Sequence, residues 1–133
     1  MASKDNSFHC VVVTPEMAVL ECEADFAALP AWDGEIGIMR QRAPLMIKLG
    51  IGILRVKTDD GEQRMAIDGG FSEMVDNKLS VLTEHAHFAA DLERADIEVA
   101  LKEAEAMEAH DLGAVTARHQ AIARAKAQLK ILG

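Results

Sequence analysis

The side chains that could do chemistry here are histidines, cysteines, serines and paired glycines, and the chain spaces them loosely. His85-Ala86-His87, with Glu84 and Asp91 close by, is the densest set of metal-ligating types. A His-x-His pair on a strand turns both imidazoles to one face, which begins a zinc site but does not complete one. No further ligand stands at a diagnostic spacing, so no metal is assigned, and His85 and His87 read as solvated or hydrogen-bonded residues at a domain junction. His9, His110 and His119 are isolated and read as surface residues. Cys10 and Cys22 sit in strand-like apolar stretches without a Cys-x-x-Cys repeat, and read as two buried, reduced thiols. Ser7, Ser72 and Ser80 lack a Gly-x-Ser-x-Gly elbow, and no Gly-x-x-x-x-Gly-Lys phosphate cradle is present. Gly34-Glu35-Ile36-Gly37 is glycine-rich, but no helix signal follows it, so a tight hairpin is its better use. No catalytic residue is assigned, and the residues argue for a non-enzymatic binding or structural protein.

Composition narrows the class further. The 133 residues are half hydrophobic, and 14 Lys and Arg against 22 Asp and Glu give a formal charge of −8. No stretch is strongly basic, which excludes nucleic acid as the expected partner. Four Phe, one Trp and no Tyr leave an aliphatic core and no stacking platform for bases or sugars. Apolar runs such as residues 10–13 and 44–47 fall far short of the roughly 18 residues that span a bilayer, so no membrane span is expected. The first seven residues carry neither a signal peptide's nor a transit peptide's order, and a cytoplasmic protein is expected.

The elements that must position these residues change character near residue 88. All three prolines and seven of the nine glycines precede it. Short apolar stretches alternating with turn signals predict strands at 8–13, 17–23, 25–28, 46–49, 52–57, 62–67, 71–75 and 78–82. Thr14-Pro15-Glu16, Asp33-Gly34, Asp60-Gly61 and Asp76-Asn77 supply the turns. After Ala89 the chain becomes Ala-rich and charged, which predicts two helices with a break at 110–113. Ile97, Ala100, Leu101, Ala104 and Met107 form a stripe on the first. Ala114, Ala117, Ala121, Ala125 and Leu132 form one on the second, with Ile122 and Leu129 beside it. Asp91 is expected to cap the first helix, and Arg94 to pair with Glu98 one turn on. An alanine seam adds only about 0.8 kcal/mol per buried methyl, so the hairpin is expected to lean on the β-domain or a partner and to be a moving part.

One set of strings is more specific. Val12-Val13-Thr14-Pro15-Glu16 closes the first strand; Leu29-Pro30-Ala31, Asp33-Gly34-Glu35-Ile36-Gly37-Ile38, Ala43-Pro44-Leu45, Ile67-Asp68-Gly69-Gly70-Phe71 and Val81-Leu82-Thr83-Glu84 follow in order. Together they resemble the epsilon-subunit family of F-type ATP synthases. The resemblance implies an α+β chain, with a β-sandwich of about ten strands at 1–88 and an antiparallel helical hairpin at 89–133. Short strands between 31 and 42 are then missing from the pattern reading above.

The resemblance also implies a non-catalytic rotor subunit of the central stalk, bound to the γ subunit and the c-ring, that couples ion translocation to rotary ATP synthesis. Its hairpin would inhibit hydrolysis by reaching the α/β catalytic head. That places the chain at the cytoplasmic face of a bacterial cell membrane, held there through the complex. Asp33, Glu35, Arg40 and Arg42 fall in the ring-facing region 33–44, where Arg42 replaces the family's usual histidine before Ala-Pro. Arg40 and Arg42 read equally well as ring contacts or as exposed turn residues. Arg118, Arg124, Lys126 and Lys130 give the second helix a basic edge suited to an acidic partner. Some bacterial members bind ATP between the helices, and Asp91, Arg94 and Arg124 match that motif, but Gln128 stands where a second arginine would be. Each lost charge-assisted bond removes about 1.5–3 kcal/mol, so ATP binding is expected to be weak or absent and no cofactor is required. The alternative reading is a small ATP-sensing module whose hairpin closes on the nucleotide.

Overall fold

Two strands are more than twice as long as most of the others, and they set the architecture. A computed structural model of the chain describes residues 7–133; the leader reading made for the N-terminus therefore lies, apart from Ser7, outside the described residues. In chain order the elements are β1 (Phe8–Val13), β2 (Ala18–Ala24), β3 (Phe26–Ala31), β4 (Gly34–Met39), β5 (Leu45–Thr58), β6 (Gly61–Val75), β7 (Lys78–Leu82) and β8 (Ala86–Phe88). A single 3-10 turn (Ala89–Asp91) leads into α1 (Arg94–Ala106) and α2 (Leu112–Leu132).

The strands hydrogen-bond in the order β2-β1-β7-β6-β5-β3-β4, with β8 added on β6. Only β1 and β7 run parallel. Residues 71–75 of β6 pair with β7, whereas residues 65–67 pair with β8. Likewise β5 meets β3 mainly through residues 55–57. The path therefore folds over on itself. One layer holds β2, β1, β7 and the adjoining halves of β6 and β5; the other holds β8, the remaining halves, β3 and β4. Counted by layer this is the ten-stranded sandwich that the resemblance implies, and counted by chain continuity it is eight strands.

The fold-over lies at Gly50 and Gly69-Gly70. The β5–β6 ladder runs from Leu49 and Gly70 to Ile51 and Asp68, and the pair between them is missing. Burial parity switches across the bend: Ile47 and Leu49 face the core before it, Leu54 and Val56 after it. On β6 the switch is from Met65 and Ile67 to Ser72 and Met74. Segments 46–49 and 52–57 are thus one strand, as are 62–67 and 71–75, because glycines that read as breaks are bends within a continuous ladder. The strand predicted at 25–28 runs on to Ala31, β4 fills the expected gap between 31 and 42, and β8 carries too short a pattern to show in the sequence.

Between the layers Phe8, Leu29, Ile38, Leu54, Met65 and Met74 are fully buried. The buried hydroxyls all bond: Ser72 donates to the Ser80 carbonyl and Thr83 to that of His85. Asp76 and Asn77, both left-handed, make the tight β6–β7 turn. Asn77 also accepts from the Gln41 N–H and donates to the Ser7 carbonyl, so one side chain joins three segments.

The hairpin corrects the capping scheme. Asp91 belongs to the 3-10 turn, α1 starts after Glu93 with no side-chain cap, and the capping residue is Asp111, which accepts from Ala114 N at 2.8 Å at the start of α2. Gly113 lies inside that helix, not in the break. Arg94 donates to the terminal Gly133 carbonyl in place of pairing with Glu98. Helix α2 rests on β5 and β6, and α1 rests on α2. Only Ile97, Ala104 and Ala125 are buried on the two helices.

Gly70 has φ +110°, and an added Cβ would overlap the carbonyl oxygen of Leu82. Gly70→Ala should therefore destabilise the chain by more than about 2 kcal/mol in urea unfolding, whereas Gly61→Ala, at a turn with open space, should cost about 1 kcal/mol.

Candidate functional site

Three surfaces carry the residues of interest. The first is the seat of the hairpin. Arg124 on α2 donates through Nε to Asp68 Oδ2 at 2.6 Å, an ion pair between residues 56 apart in sequence. Asp68 is placed by the bend of β6, and its side chain is only 16% exposed. Around the pair, Ala66, His85, His87, Ala127 and Gln128 close a slot of about 10 Å³, no larger than one water. Arg118 donates to the Glu105 carbonyl at the C-terminal end of α1, where a cation suits the helix dipole.

These contacts redistribute the expected site residues. Arg94, Arg124 and Asp91 do not converge: Arg94 holds Gly133, Arg124 holds Asp68, and Asp91 is exposed in its turn. The slot beside Arg124 and Gln128 has no room for a nucleotide. Nor do Arg118, Arg124, Lys126 and Lys130 form one free basic edge, because Arg118 faces α1 and Arg124 faces the sandwich, while Lys126 and Lys130 stay exposed. His85 and His87 lie parallel with centroids 6.3 Å apart, on one face as their spacing predicts. Among the described residues no group of three or more His, Cys, Asp or Glu is arranged to hold a metal, so Asp91 does not join them.

The second surface is the β3–β4 hairpin. Asp33 sits in its turn beside Trp32, which is 68% exposed and whose N–H donates to the Lys48 carbonyl. Glu35 accepts from Arg55 at 3.2 Å, and Arg55 extends towards Glu62, whose carboxyl Arg64 holds below the usual carboxylate range. Arg40 and Arg42 lie beyond the other end of β4. Six residues at about 3.3 Å each put the acidic pair and the basic pair roughly 20 Å apart, so 33–44 is not one loop.

The third surface was not assigned from sequence. Phe71, Leu82 and Val13 are register neighbours across β6, β7 and β1. They point outward from the layer that α2 does not cover, and Phe71 and Leu82 are 55% and 53% exposed. Pro15, Thr14 and Glu84 join them around an open depression of about 390 Å³, and Met46 and Met17 are exposed on the same layer. Strand parity would have shown Phe71 and Leu82 on one face, but only the layer assignment tells which face is outside.

A β-sandwich carrying a docked αα-hairpin, latched to it by an ion pair, is the class of fold these elements define. The chain belongs to the epsilon-chain family of F-type ATP synthase: residues 7–89 match the family described as ATP synthase, Delta/Epsilon chain, beta-sandwich domain. It is 41% identical to the ATP synthase epsilon chain of Rhodopirellula baltica over 124 residues, covering 93% of this chain and 97% of that one. The epsilon chain of Syntrophomonas wolfei is 38% identical over 135 residues, with 96% and 98% covered. Among solved structures, a chain of the Euglena gracilis mitochondrial ATP synthase (OSCP/F1/c-ring) matches at TM-score 0.85 and 18% identity, covering 99% of this chain and 85% of that one. A chain of the Tetrahymena thermophila mitochondrial central stalk and c-ring matches at TM-score 0.68 and 12% identity, with 94% and 96% covered. At such identities the two structures establish the shared fold. No helix among the described residues is long and apolar enough to cross a membrane.

The latch can be tested directly. Asp68→Asn should weaken hairpin docking by about 1 kcal/mol, a partly exposed pair being worth no more. Amide hydrogen exchange should then quicken roughly fivefold along 112–132 while the β1–β7 ladder keeps its protection. Equal acceleration in both would mean that Asp68 serves the sandwich, not the hairpin.

Proposed function

We propose that this chain is a non-catalytic rotor subunit of the ATP synthase central stalk, anchored by its sandwich to the γ subunit and the c-ring and carrying a hairpin that restrains ATP hydrolysis. The observation that carries the reading is the uncovered outer row of Phe71, Leu82 and Val13. The chain protects one outer face of its sandwich with α2 and leaves aromatic and aliphatic side chains on the other. Exposed apolar groups in register across three strands suit a lasting protein partner, and we assign that face to γ. The β3–β4 hairpin, with Trp32 and Asp33 at its tip, is assigned to the c-ring. Lying against both partners, the sandwich would couple ion translocation in the ring to rotation of the shaft, at the cytoplasmic face of a bacterial cell membrane.

The brake follows from how the hairpin is held. One partly exposed ion pair to the sandwich and few buried side chains make a light attachment, since the two arginine-to-carbonyl bonds tie α1 to α2 within the hairpin. A hairpin that leaves its seat frees Arg124 and Asp68 together and presents Arg124 with Lys126 and Lys130 to the acidic surface of an α/β catalytic head. In the seated pose Asp91, Arg94 and Arg124 do not converge on a nucleotide, and the reading requires no cofactor. Calorimetric titration with millimolar ATP should accordingly be silent.

Co-purification with the γ subunit of the same organism tests the anchor. The full chain and a truncation after Phe88 should bind γ with equal stoichiometry, and the truncation should raise ATP hydrolysis by the reconstituted complex. Phe71→Asp with Leu82→Asp should abolish γ binding with little change in the chain's own stability, because both side chains are more than half exposed. Binding lost on truncation would move the anchor to the hairpin, and unchanged hydrolysis would remove the brake.

A further inference from the structure

Cys10 and Cys22 are direct partners across the β1–β2 pair, a relation that their twelve-residue separation hides in the sequence. His9 N and Val13 O bond towards β7, so the even residues of β1 turn their backbone groups towards β2. Cys10 and Cys22 thus form a hydrogen-bonded cross-strand pair, with Cα atoms about 5.5 Å apart. That lies within the roughly 4.4–6.8 Å that a disulfide spans. Their side chains share a face, flanked by the Phe8–Ala24 and Val12–Leu20 pairs. Both are free thiols in the structure. Cys10 is fully buried, whereas Cys22 lies half-buried on the outermost strand, open to a small molecule from the side with no neighbouring strand.

We infer that Cys10 and Cys22 are a thiol–disulfide modification site for peroxide, in which Cys22 is attacked first and Cys10 resolves. The asymmetry is electrostatic as well as steric. The hydrogen bond from Cys10, with His9 nearby, brings Cys22 down to about 7 against the opposing effects of burial and Glu23, while the same bond and burial push Cys10 up. The titratable groups around Cys22 are His9 from β1 and Glu21 and Glu23 from its own strand, and the His9 ring hydrogen-bonds to each of the two carboxylates. Across the core, β5 turns Leu54 and Val56 inward. Cys22 thiolate attacks one peroxide oxygen, the O–O bond breaks, and the departing hydroxide takes up a proton to leave as water. The sulfenic acid left on Cys22 no longer holds the Cys10 proton in place. Cys10 sulfur then attacks Cys22 sulfur, the S–O bond breaks, and hydroxide leaves with the Cys10 proton as a second water. Two thiols and one peroxide become one disulfide and two waters.

The test uses the full, reduced chain and hydrogen peroxide. Expected are a product lighter by two hydrogens, a link between the Cys10 and Cys22 peptides after cleavage at glutamates such as Glu16, which lies between them, and reversal by dithiothreitol. The rate should rise about tenfold from about pH 6 to about pH 8, following the thiolate fraction of Cys22. Cys10→Ser should halt at a sulfenic acid that dimedone traps on Cys22, and Cys22→Ser should lose the rapid reaction. Oxidation confined to Cys22 with Cys10 still alkylatable after unfolding, disulfide-linked dimers, or survival of both thiols would each overturn the assignment. If the Cys10 variant misfolds, the wild-type mass and peptide link decide alone.

Discussion

The sandwich closes because β5 and β6 run through both of its layers, and the remaining strands are added to that pair. A ladder of this length cannot stay flat over a core of this size, so it must bend where side chains do not obstruct. The two strands bend opposite each other, at Gly50 and at Gly69-Gly70, and the core-facing parity changes on both. Two of the surfaces described depend on that switch. It turns Asp68 outward towards α2 and leaves Phe71, three residues on, outward on the opposite layer.

The hairpin follows a different physics from the sandwich. Its side chains are mostly alanines and charges, and few are removed from water. What seats α2 on the sandwich is directional, the single Arg124 bond to Asp68, while the Arg94 and Arg118 bonds to carbonyls at helix ends tie the two helices to each other. Directional contacts specify one seated pose without binding it tightly. Such a balance leaves the hairpin able to come off its seat, whereas a leucine-rich seam would fix the same helices permanently.

Much of this was legible in the sequence, and the failures have particular causes. Alternation and turn pairs placed the strands, and alanine spacing placed both helices, since those patterns are local. Glycines were read as ends of strands because a bend and a break look alike without the partner strand. Asp91 satisfies the local rule for a cap of the first helix, but the chain makes a 3-10 turn there and α1 begins after Glu93, which the local pattern does not show. Of the candidate site residues, Arg124 has a partner that its own stretch of sequence does not show, since Asp68 lies 56 residues away. The pairing of Cys10 with Cys22 is not legible either, because it depends on the register of the β1–β2 pair, which shifts between Val12 and Val13.

Sharing two strands between layers also decides how the sandwich bears a load. In a sandwich built from separate sheets, a sideways push on one face is resisted by side-chain packing alone. Here a push arriving at Phe71 and Leu82 passes along the covalent backbone of β5 and β6 into the layer that carries Trp32 and the hairpin seat. The two faces cannot slide over one another without stretching main chain, so the domain behaves as a stiff torsional block.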